Sequence, residues 1–372
     1  MWLGALGRRM QAVHIVDSGA PEDVLKIREV PRPDPGAGEV RIDVRACALQ
    51  HADVFARTGH PEIEDAFPKR PGTEMAGIVD AVGEDVNEGQ RLSFANQQSP
   101  IADEVDGWEP GDRVNVYHHV SCGECEFCER GEQTMCPHDR KFGSEFPGGL
   151  AEYAVVPAAN LEPVPDHVDM ETAAAWPSSF TTAWRMLVSG GGLEPSETAL
   201  ILGASGGVGH AALQLADRIG AEVYATTSAD WKAEKAMEWA ESVIDYTRVP
   251  FDERILELTD GRGVDLVADH VGQETWQRSI DSLATGGRMV ICGATSGADP
   301  DIDIRSVYQR HRRILGTPMG NRRDFRNVGR LIARGEVRPV IDRVLPLDRV
   351  AEGHHAIENR DVFGKVVVTP EP

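Results

Sequence analysis

The sequence predicts an α/β protein of two domains, a mostly β domain followed by a doubly wound parallel sheet. Its 372 residues are enough for two domains that each bury a core. Residues 10–164 carry short alternating apolar runs separated by glycine and proline, which is typical of strands joined by turns and loops. Residues 165–318 alternate strand-like runs with amphipathic stretches, which indicates parallel strands joined by crossover helices.

In the first domain, the runs "EVRIDVRACAL" (39–49) and "MAGIVDAVG" (75–83) have the period-two alternation of strands. Residues 87–114 are polar with weak periodicity, and they predict a surface insertion. The first nine residues precede the first strand-like run, and we expect a disordered extension or the product of an upstream start codon there.

The second domain contains six strand-like runs at regular intervals. A final segment, 319–372, has a helical stretch at 324–334 and the short strands "VLPL" and "KVVVT", and it is predicted to pack back onto the first domain. The six runs are ALILGA (199–204), EVYATTS (222–228), SVIDY (242–246), VDLVADHV (264–271), RMVICG (288–293) and RRILGTPM (312–319).

The charge balance is strongly acidic, with 60 acidic and 38 basic residues and a formal net charge of −22. Such a field argues against nucleic acid or an anionic membrane as a partner. Only six of the basic residues are lysines and 32 are arginines, a composition that resembles proteins of extreme halophiles. An ordinary acidic cytosolic enzyme is the alternative interpretation.

Nothing in the sequence indicates export or a membrane. The N-terminal "MWLGALGRR" is too short for a secretory signal and has its positive charges after the apolar part. No run approaches the roughly 20 apolar residues that span a bilayer. Six cysteines in a long chain, four of them clustered, suit a reducing compartment, so we expect a cytoplasmic protein.

The stretch "ALILGASGGVGHAALQLA" places a glycine cluster between a buried strand and a helix. Gly206, Gly207 and Gly209 allow a tight turn in which backbone N–H groups approach a pyrophosphate at the helix N-terminus, so a nicotinamide dinucleotide is the predicted cofactor. The residues predicted to contact it are Gly203, Ser205, Gly206, Gly207, Val208, Gly209, Thr227, Ser228, Lys232, Tyr246, Val271, Cys292, Gly293, Phe363 and Lys365.

The second strand of this domain predicts NADPH rather than NADH. An NAD site has an acidic residue at that strand's end, where this chain has Thr227 and Ser228. Lys232 follows and can offer a cation to a 2′-phosphate. The alternative is that Ser228 is a helix N-cap and Lys232 a solvated helix lysine, which would leave NADH possible.

"SCGECEFCERGEQTMC" (121–136) holds four cysteines in the pattern C-x2-C-x2-C-x7-C. Four thiolates suit a tetrahedral zinc, and an all-cysteine shell leaves no position for water or substrate. We therefore predict one structural zinc per chain, bound by Cys122, Cys125, Cys128 and Cys136. Four free thiols or two disulfides are the alternatives.

Together with the zinc loop and "GASGGVG", three further stretches carry a family resemblance: "RPGTEMAGIVDAVG" (70–83), "GGLAEYAVVPAANLEPVPD" (148–166) and "VFGKVVV" (362–368). They resemble the medium-chain dehydrogenase/reductase superfamily from about residue 10 to the C-terminus. The resemblance implies a GroES-like catalytic domain and a Rossmann cofactor domain with the active site in the cleft between them. It also implies a homodimer or homotetramer.

Zinc-dependent alcohol dehydrogenases of that superfamily carry a second, catalytic zinc, but its ligands are missing here. In "CALQHAD" the first ligand position is Gln50, three residues before Asp53, and in "PGTEM" Thr73 stands in place of a histidine. The third position falls near "AAAWPSSF", without a suitable cysteine. Amide and hydroxyl oxygens are poor zinc ligands compared with thiolate and imidazole. The pattern therefore resembles the zinc-free quinone oxidoreductase branch.

The resemblance implies an NADPH-dependent reductase whose small-molecule substrate is a quinone or an α,β-unsaturated carbonyl compound. We expect His51 and Asp53 to orient the substrate or relay a proton, with Gln50 and Thr73 as hydrogen-bonding walls. One alternative is a zinc-dependent alcohol dehydrogenase in which His51, Asp53 and Glu74 form a hard-ligand site. Another is a sensor that binds NADPH and has lost catalysis.

Overall fold

A computed structural model describes residues 8–59, 67–86 and 107–370. The insertion predicted at 87–114 lies outside the described residues as far as residue 106, and so do the first seven residues. None of the helices in the described ranges combines the length and the apolar character needed to cross a bilayer.

The strands and helices are numbered in chain order. The strands are β1 (Arg9–Ile15), β2 (Leu25–Pro31), β3 (Glu39–Leu49), β4 (Glu74–Val82), β5 (Arg113–Val116), β6 (His119–Val120), β7 (Arg140–Lys141), β8 (Tyr153–Pro157), β9 (Leu161–Pro163), β10 (Thr198–Ile201), β11 (Glu222–Thr227), β12 (Ser242–Asp245), β13 (Val264–Asp269), β14 (Leu283–Ile291), β15 (Arg313–Gly316), β16 (Ile341–Pro346) and β17 (Lys365–Thr369). The helices are α1 (Pro21–Val24), α2 (His51–Thr58), α3 (Glu126–Glu129), α4 (Met170–Ala174), α5 (Ser179–Trp184), α6 (Gly207–Ile219), α7 (Asp230–Ala236), α8 (Phe251–Leu258), α9 (Trp276–Asp281), α10 (Ile304–Tyr308), α11 (Arg322–Ala333) and α12 (Val350–Glu358).

The chain divides into two compact units. The first unit comprises Met1–Pro177 and Ile341–Pro372, and the second comprises Ser178–Val340. The predicted α/β class, with one mostly β part and one doubly wound sheet, is confirmed.

The first unit is built on a seven-stranded sheet with the order β16-β17-β3-β4-β5-β9, and β8 also pairs with β3. The long strand β3 has the bounds that its apolar alternation predicts, and antiparallel neighbours β4 and β17 flank its carboxyl end. Because β17 pairs with β3, the end of the chain belongs to the first unit. The core of this unit gathers aliphatic side chains from both ends of the sequence.

The second unit is a six-stranded parallel sheet with the order β12-β11-β10-β13-β14-β15. Counted along the chain this is the order 3-2-1-4-5-6, which is that of dinucleotide-binding doubly wound folds. All six predicted strands are present, and β14 begins earlier than predicted, at Leu283. Two glycines inside β14 interrupt the apolar pattern by which its first half could be recognised in the sequence. That half pairs with β13 through a shift in register.

The predicted domain boundaries, 164/165 and 318/319, need correction. The structure places them at Pro177/Ser178 and Val340/Ile341. Helix α4 packs against β3 and β4 and so stays with the first unit, whereas α11 packs against α5 and stays with the second. Local periodicity shows that a helix is amphipathic but not which sheet it covers.

Arg288 of β14 anchors the sheet of the second unit to the loop before β10. The side chain is only 4% exposed. Its Nη1 and Nη2 atoms donate to the two carboxylate oxygens of Glu197, at 3.0 and 2.6 Å. Nη2 also donates to the carbonyl of Gly192 at 2.7 Å. The hydrogen bond from Arg288 holds the pKa of Glu197 below its ordinary value.

We expect Arg288→Lys to lower the free energy of unfolding by about 2 kcal/mol. An ammonium group cannot reproduce the planar array of donors of the guanidinium group, so buried acceptors are left unpaired. Urea denaturation measures the change. Arg254→Lys is the matched control, since Arg254 pairs with Glu257 on the exposed face of α8, and it should shift stability by less than about 0.5 kcal/mol. Equal stability of the two variants would contradict the assignment.

Candidate functional site

The predicted glycine turn connects β10 to α6 in the second unit. Gly206 is the N-cap of α6, and Gly203 has a φ of 56°, in the left-handed region. A Cβ atom on Gly209 would lie 2.1 Å from the carbonyl oxygen of Gly203, so a side chain at 209 would push the helix off the turn. The backbone can therefore approach a ligand closely, with the unpaired N–H groups of the helix N-terminus facing it.

Thr226 of β11 holds this turn in place, a role that the sequence analysis missed. Its hydroxyl oxygen accepts from the N–H of Gly203 at 3.1 Å, and its carbonyl accepts from the N–H of Ala204 at 2.9 Å. In the sequence, such a residue could be found as a threonine at the end of the strand that lies beside the glycine turn. The strand order must be known before that strand can be identified.

The end of β11 and the start of α7 carry the groups predicted to choose between NADPH and NADH. Thr227 is 2% exposed, and its hydroxyl oxygen has no hydrogen-bond partner in the described chain. Lys232 is 3% exposed, with Nζ 5.4 Å from the ring centroid of Trp231, so it is not a solvated helix lysine. A buried hydroxyl without a partner and a buried cation fit a phosphorylated ribose.

Three further predicted cofactor residues follow the carboxyl ends of neighbouring strands. The N–H of Tyr246 donates to Thr227 O at 3.1 Å, and the N–H of Cys292 donates to Asp269 O at 3.2 Å. The N–H of Val271 donates to Asp269 Oδ1 at 2.8 Å. Because parallel strands end at one edge of a sheet, these residues share the edge of the glycine turn. Burial raises the pKa of Cys292 to about 12, which keeps it a neutral thiol.

The remaining predicted cofactor residues fall into two groups. Phe363 and Lys365 lie in the first unit, where Phe363 is fully buried. The others surround the glycine turn and the neighbouring strand ends; they are Ser205, Gly207, Val208, Ser228 and Gly293.

In the first unit, Asp53 ties the start of α2 to the turn before β4. Its Oδ2 accepts from the N–H of Gln50 at 3.0 Å and its Oδ1 accepts from the N–H of Gly72 at 2.9 Å. The side chain is 2% exposed, and burial raises its pKa to about 6 against those hydrogen bonds. Both oxygens thus accept from backbone N–H groups, so Asp53 holds Gln50 and the turn at Gly72 in place. Its contact with substrate stays a prediction.

The other three predicted catalytic residues lie next to the two hydrogen bonds that Asp53 accepts from Gln50 and Gly72, here called the Asp53 clamp. Gln50 is the N-cap of α2, and Thr73 directly precedes β4 and is 8% exposed. His51 begins α2 and is exposed, with its ring centroid 6.1 Å from that of Phe55. The clamp brings Gln50, Asp53 and Thr73 together, whereas His51 turns toward solvent.

A buried ion pair closes the same end of the sheet. Glu74, the first residue of β4, is 0% exposed, and Lys365, the first residue of β17, is 2% exposed. Nζ of Lys365 donates to Oε2 of Glu74. Lys365 thus has Glu74 as a partner in this structure, and its contact with the cofactor stays a prediction. Cys47 of β3 is fully buried nearby, and burial raises its pKa well above the ordinary value, with the Asp53 and Glu74 charges adding.

Within residues 8–59, 67–86 and 107–370, one group of three or more histidine, cysteine or carboxylate side chains brings its ligand atoms together. It consists of the four loop cysteines. The ligand atoms of His51, Asp53 and Glu74 do not converge in this way, so the hard-ligand alternative finds no support in the described chain.

The four cysteine Sγ atoms all lie within 4.8 Å of one another. Cys122 Sγ is 3.5 Å from Cys136 Sγ and 3.9 Å from Cys128 Sγ, which is 3.5 Å from Cys125 Sγ. Zinc–sulfur bonds of 2.3 Å in a tetrahedron put the sulfurs about 3.8 Å apart. The separations fit a zinc ion and are far longer than a disulfide bond.

The loop backbone supports thiolates at this cluster. The N–H of His138 donates to Cys136 Sγ at 3.4 Å. A hydrogen bond from the Glu124 backbone is the main cause that lowers the pKa of Cys122 to about 6. Burial raises the pKa of Cys128 to about 12, so binding of a metal must displace its proton. With all four positions taken by cysteine, a zinc here would stabilise the fold and not meet substrate.

The cluster predicts that Cys128→Ser releases the zinc and lowers the free energy of unfolding by roughly 3 kcal/mol or more, because metal binding contributes to folding. Elemental analysis and thermal melting measure the two effects. Cys292→Ser is the control, since Cys292 lies outside the cluster, and it should keep the zinc. Zinc retained by Cys128→Ser would show that the metal is bound elsewhere.

The raised pKa of Asp53 predicts a specific pH dependence. Its folded-state pKa of about 6 lies above the ordinary 3.8, so between those values the folded protein keeps a proton that the unfolded chain has released. The stability that this residue contributes is therefore fully present below pH 3.8 and is lost as pH rises through about 6. Of this loss, about 1.4 kcal/mol falls between pH 5 and pH 7.5.

Asp53→Asn removes that component. Denaturation at several pH values should show that wild type gains about 1.4 kcal/mol of stability relative to the variant as pH falls from 7.5 to 5. The exposed control Asp166→Asn should follow wild type. A difference that does not change with pH would contradict burial as the cause.

Comparison with known proteins gives the same division of the chain. Residues 36–166 match the family described as the alcohol dehydrogenase GroES-like domain, and residues 207–334 match the family described as zinc-binding dehydrogenase.

Two kinds of enzyme are found among the whole-length relatives. An acryloyl-coenzyme A reductase of Sulfurisphaera tokodaii is 31% identical over 94% of this chain and 98% of its own length. An NAD-dependent alcohol dehydrogenase of known structure is 38% identical, with a TM-score of 0.87 over 97% of this chain and 99% of that one. A crotonyl-CoA carboxylase/reductase solved with NADP is 25% identical, with a TM-score of 0.85 over 99% and 96%.

Proposed function

The chain belongs to the medium-chain dehydrogenase/reductase superfamily, and we propose that it transfers hydride from NADPH to an α,β-unsaturated carbonyl compound or a quinone without a catalytic zinc. That it is an NAD(P)-dependent oxidoreductase follows from its relatives. The reaction proposed here rests on one observation. Where a catalytic metal would bind, Gln50 and Thr73 offer only neutral oxygens, and Glu74 is paired with Lys365.

The chemistry of the substrate supports a metal-free reaction. Oxidation of a simple alcohol needs its hydroxyl to be acidified, which a zinc ion does as a Lewis acid. Hydride addition to the β-carbon of an enone, or to a quinone, gives a delocalised anion that hydrogen-bond donors can stabilise. Gln50 and Thr73 are side chains of that kind, and Asp53 positions the backbone between them.

Of the two substrate classes, the relatives favour the unsaturated carbonyl. The acryloyl-coenzyme A reductase and the crotonyl-CoA carboxylase/reductase are named for conjugated thioesters. A zinc-dependent alcohol dehydrogenase that interconverts alcohol and aldehyde or ketone is the second candidate, and the 38% identity to an NAD-dependent alcohol dehydrogenase favours it. Against this candidate, the four loop cysteines are the only converging set of metal ligands in the described part of the first unit, and they leave no position open for substrate.

NADPH is the proposed cofactor because Thr227 replaces the acidic residue of an NAD site and Lys232 offers a buried cation. The glycine turn would hold the pyrophosphate at the start of α6. When bound, the reduced nicotinamide supplies the hydride. The chain's own residues orient the dinucleotide and pair its charge.

The remaining proposals concern the setting of the enzyme. We expect a cytoplasmic protein that does not bind nucleic acid or membrane, in agreement with the net charge of −22. Self-association as a homodimer or homotetramer stays a prediction. Exposed apolar side chains near the edge strand β15 support it, namely Ile302, Ile304 and Tyr308.

A substrate panel tests the proposed reaction. With NADPH, the protein should reduce an enone, an enoyl thioester or a benzoquinone, with kcat/KM at least about 100-fold above that for alcohol oxidation with NADP⁺. Reduction with NADPH deuterated at C4 should place deuterium on the β-carbon of the enone. Alcohol oxidation as the fastest reaction, lost when a chelator removes a metal, would establish the second candidate instead.

Lys232→Ala tests the cofactor proposal. It should lower kcat/KM for NADPH by about tenfold and leave the NADH value within about twofold, because only the 2′-phosphate loses a partner. Lys235→Ala is the matched control, since Lys235 lies on the same helix with Nζ 5.3 Å from the Trp231 ring. A higher kcat/KM with NADH, or an unchanged NADPH value in Lys232→Ala, would contradict NADPH.

A further inference from the structure

His270 is the first residue after β13, at the carboxyl end of that strand. In the strand order of the second unit, β13 lies beside β10, which leads into the glycine turn. The order reverses between these two strands, and ligands of doubly wound sheets bind in the crevice at such a switch point. The backbone therefore places His270 at the expected dinucleotide site.

The imidazole itself lies against the glycine turn. A Cβ atom on Gly203 would be 2.9 Å from Nε2 of His270 and 3.3 Å from Cε1, and one on Gly206 would be 3.8 Å from Nε2. The ring edge that carries Nε2 thus occupies space that a side chain at 203 would take. Nε2 also lies close to the N-cap of α6, where a pyrophosphate is expected.

A rigid loop presents this ring. Asp269, the last residue of β13, is 0% exposed. Four hydrogen bonds of 2.7 to 3.1 Å saturate its carboxylate and fix the chain on both sides of His270. The donors are the N–H groups of Val271 and Gly272 and the hydroxyls of Thr275 and Ser279.

The ring is also available to a ligand. Neither ring nitrogen of His270 hydrogen-bonds to another described residue, and Asp269 beside it is saturated. Burial holds the pKa of His270 below its ordinary value, so the imidazole is neutral at pH 7 and carries one N–H donor. The side chain is half-buried, so this N–H is accessible and can donate to a ligand that enters the site.

We propose that His270 is a cofactor-binding residue whose Nε2–H donates to a pyrophosphate oxygen of the bound dinucleotide. It approaches from the β13 side, opposite the N–H groups at the start of α6. Because NADPH and NADH share the pyrophosphate, His270 contributes to the affinity for both. Its contribution is therefore separate from the choice between them and from the identity of the substrate.

Binding of cofactor fragments to His270 variants tests the proposal. His270→Phe keeps a flat ring without a donor, and it should raise Kd for NADPH, NADH and 2′-phospho-ADP-ribose by about tenfold. Adenosine 2′-monophosphate has no pyrophosphate, so its Kd should stay within about twofold. Calorimetric titration of the full chain gives these values without turnover.

Two further variants complete the experiment. His270→Gln places an amide N–H near the position of Nε2 and should restore Kd to within about threefold of wild type. His311→Gln, an exposed histidine of the same unit, should bind as wild type. Three results would overturn the proposal: unchanged affinity in His270→Phe, equal weakening of adenosine 2′-monophosphate, or His270→Gln no better than His270→Phe.

Discussion

The buried ion pair between Glu74 and Lys365 is the interaction on which the chemistry of the first unit depends. A carboxylate at 0% exposure must be paired, since an unpaired buried charge costs several kcal/mol. Lys365 supplies the partner from the other end of the sequence, and β3 holds the two strands in register. Asp53 is engaged by backbone in the same region. Among the described residues of this region, these two carboxylates are therefore already engaged, and we propose a chemistry whose substrates need no Lewis acid.

The second unit must bind an anionic dinucleotide although the protein as a whole is strongly acidic. We propose that it does so mainly with neutral groups: a glycine turn held by Thr226, the N–H groups of α6, and the hydroxyl of Thr227. Such dipoles bind phosphate without adding net charge. Lys232 is the cation that we assign to the 2′-phosphate, and it is buried, which protects its field from screening by salt.

The sequence predicted those features whose signal is local. Strand β3 follows its apolar alternation, the glycine turn follows its spacing, and the four cysteines converge as their pattern requires. Features that depend on strand order could not be predicted from the sequence. Glu74 and Lys365 are 291 residues apart, and only the pairing of β17 with β3 brings them together. The contact of His270 with the glycine turn and the placement of α4 and α11 depend on sheet neighbours in the same way.

We propose that this protein binds one structural zinc ion and that its chemistry uses no metal. X-ray absorption at the zinc edge, with elemental analysis of the same active preparation, tests it most directly. We expect about one zinc per chain in a shell of four sulfurs at about 2.3 Å. About two zinc ions per chain, or nitrogen and oxygen ligands whose loss abolishes turnover, would contradict it.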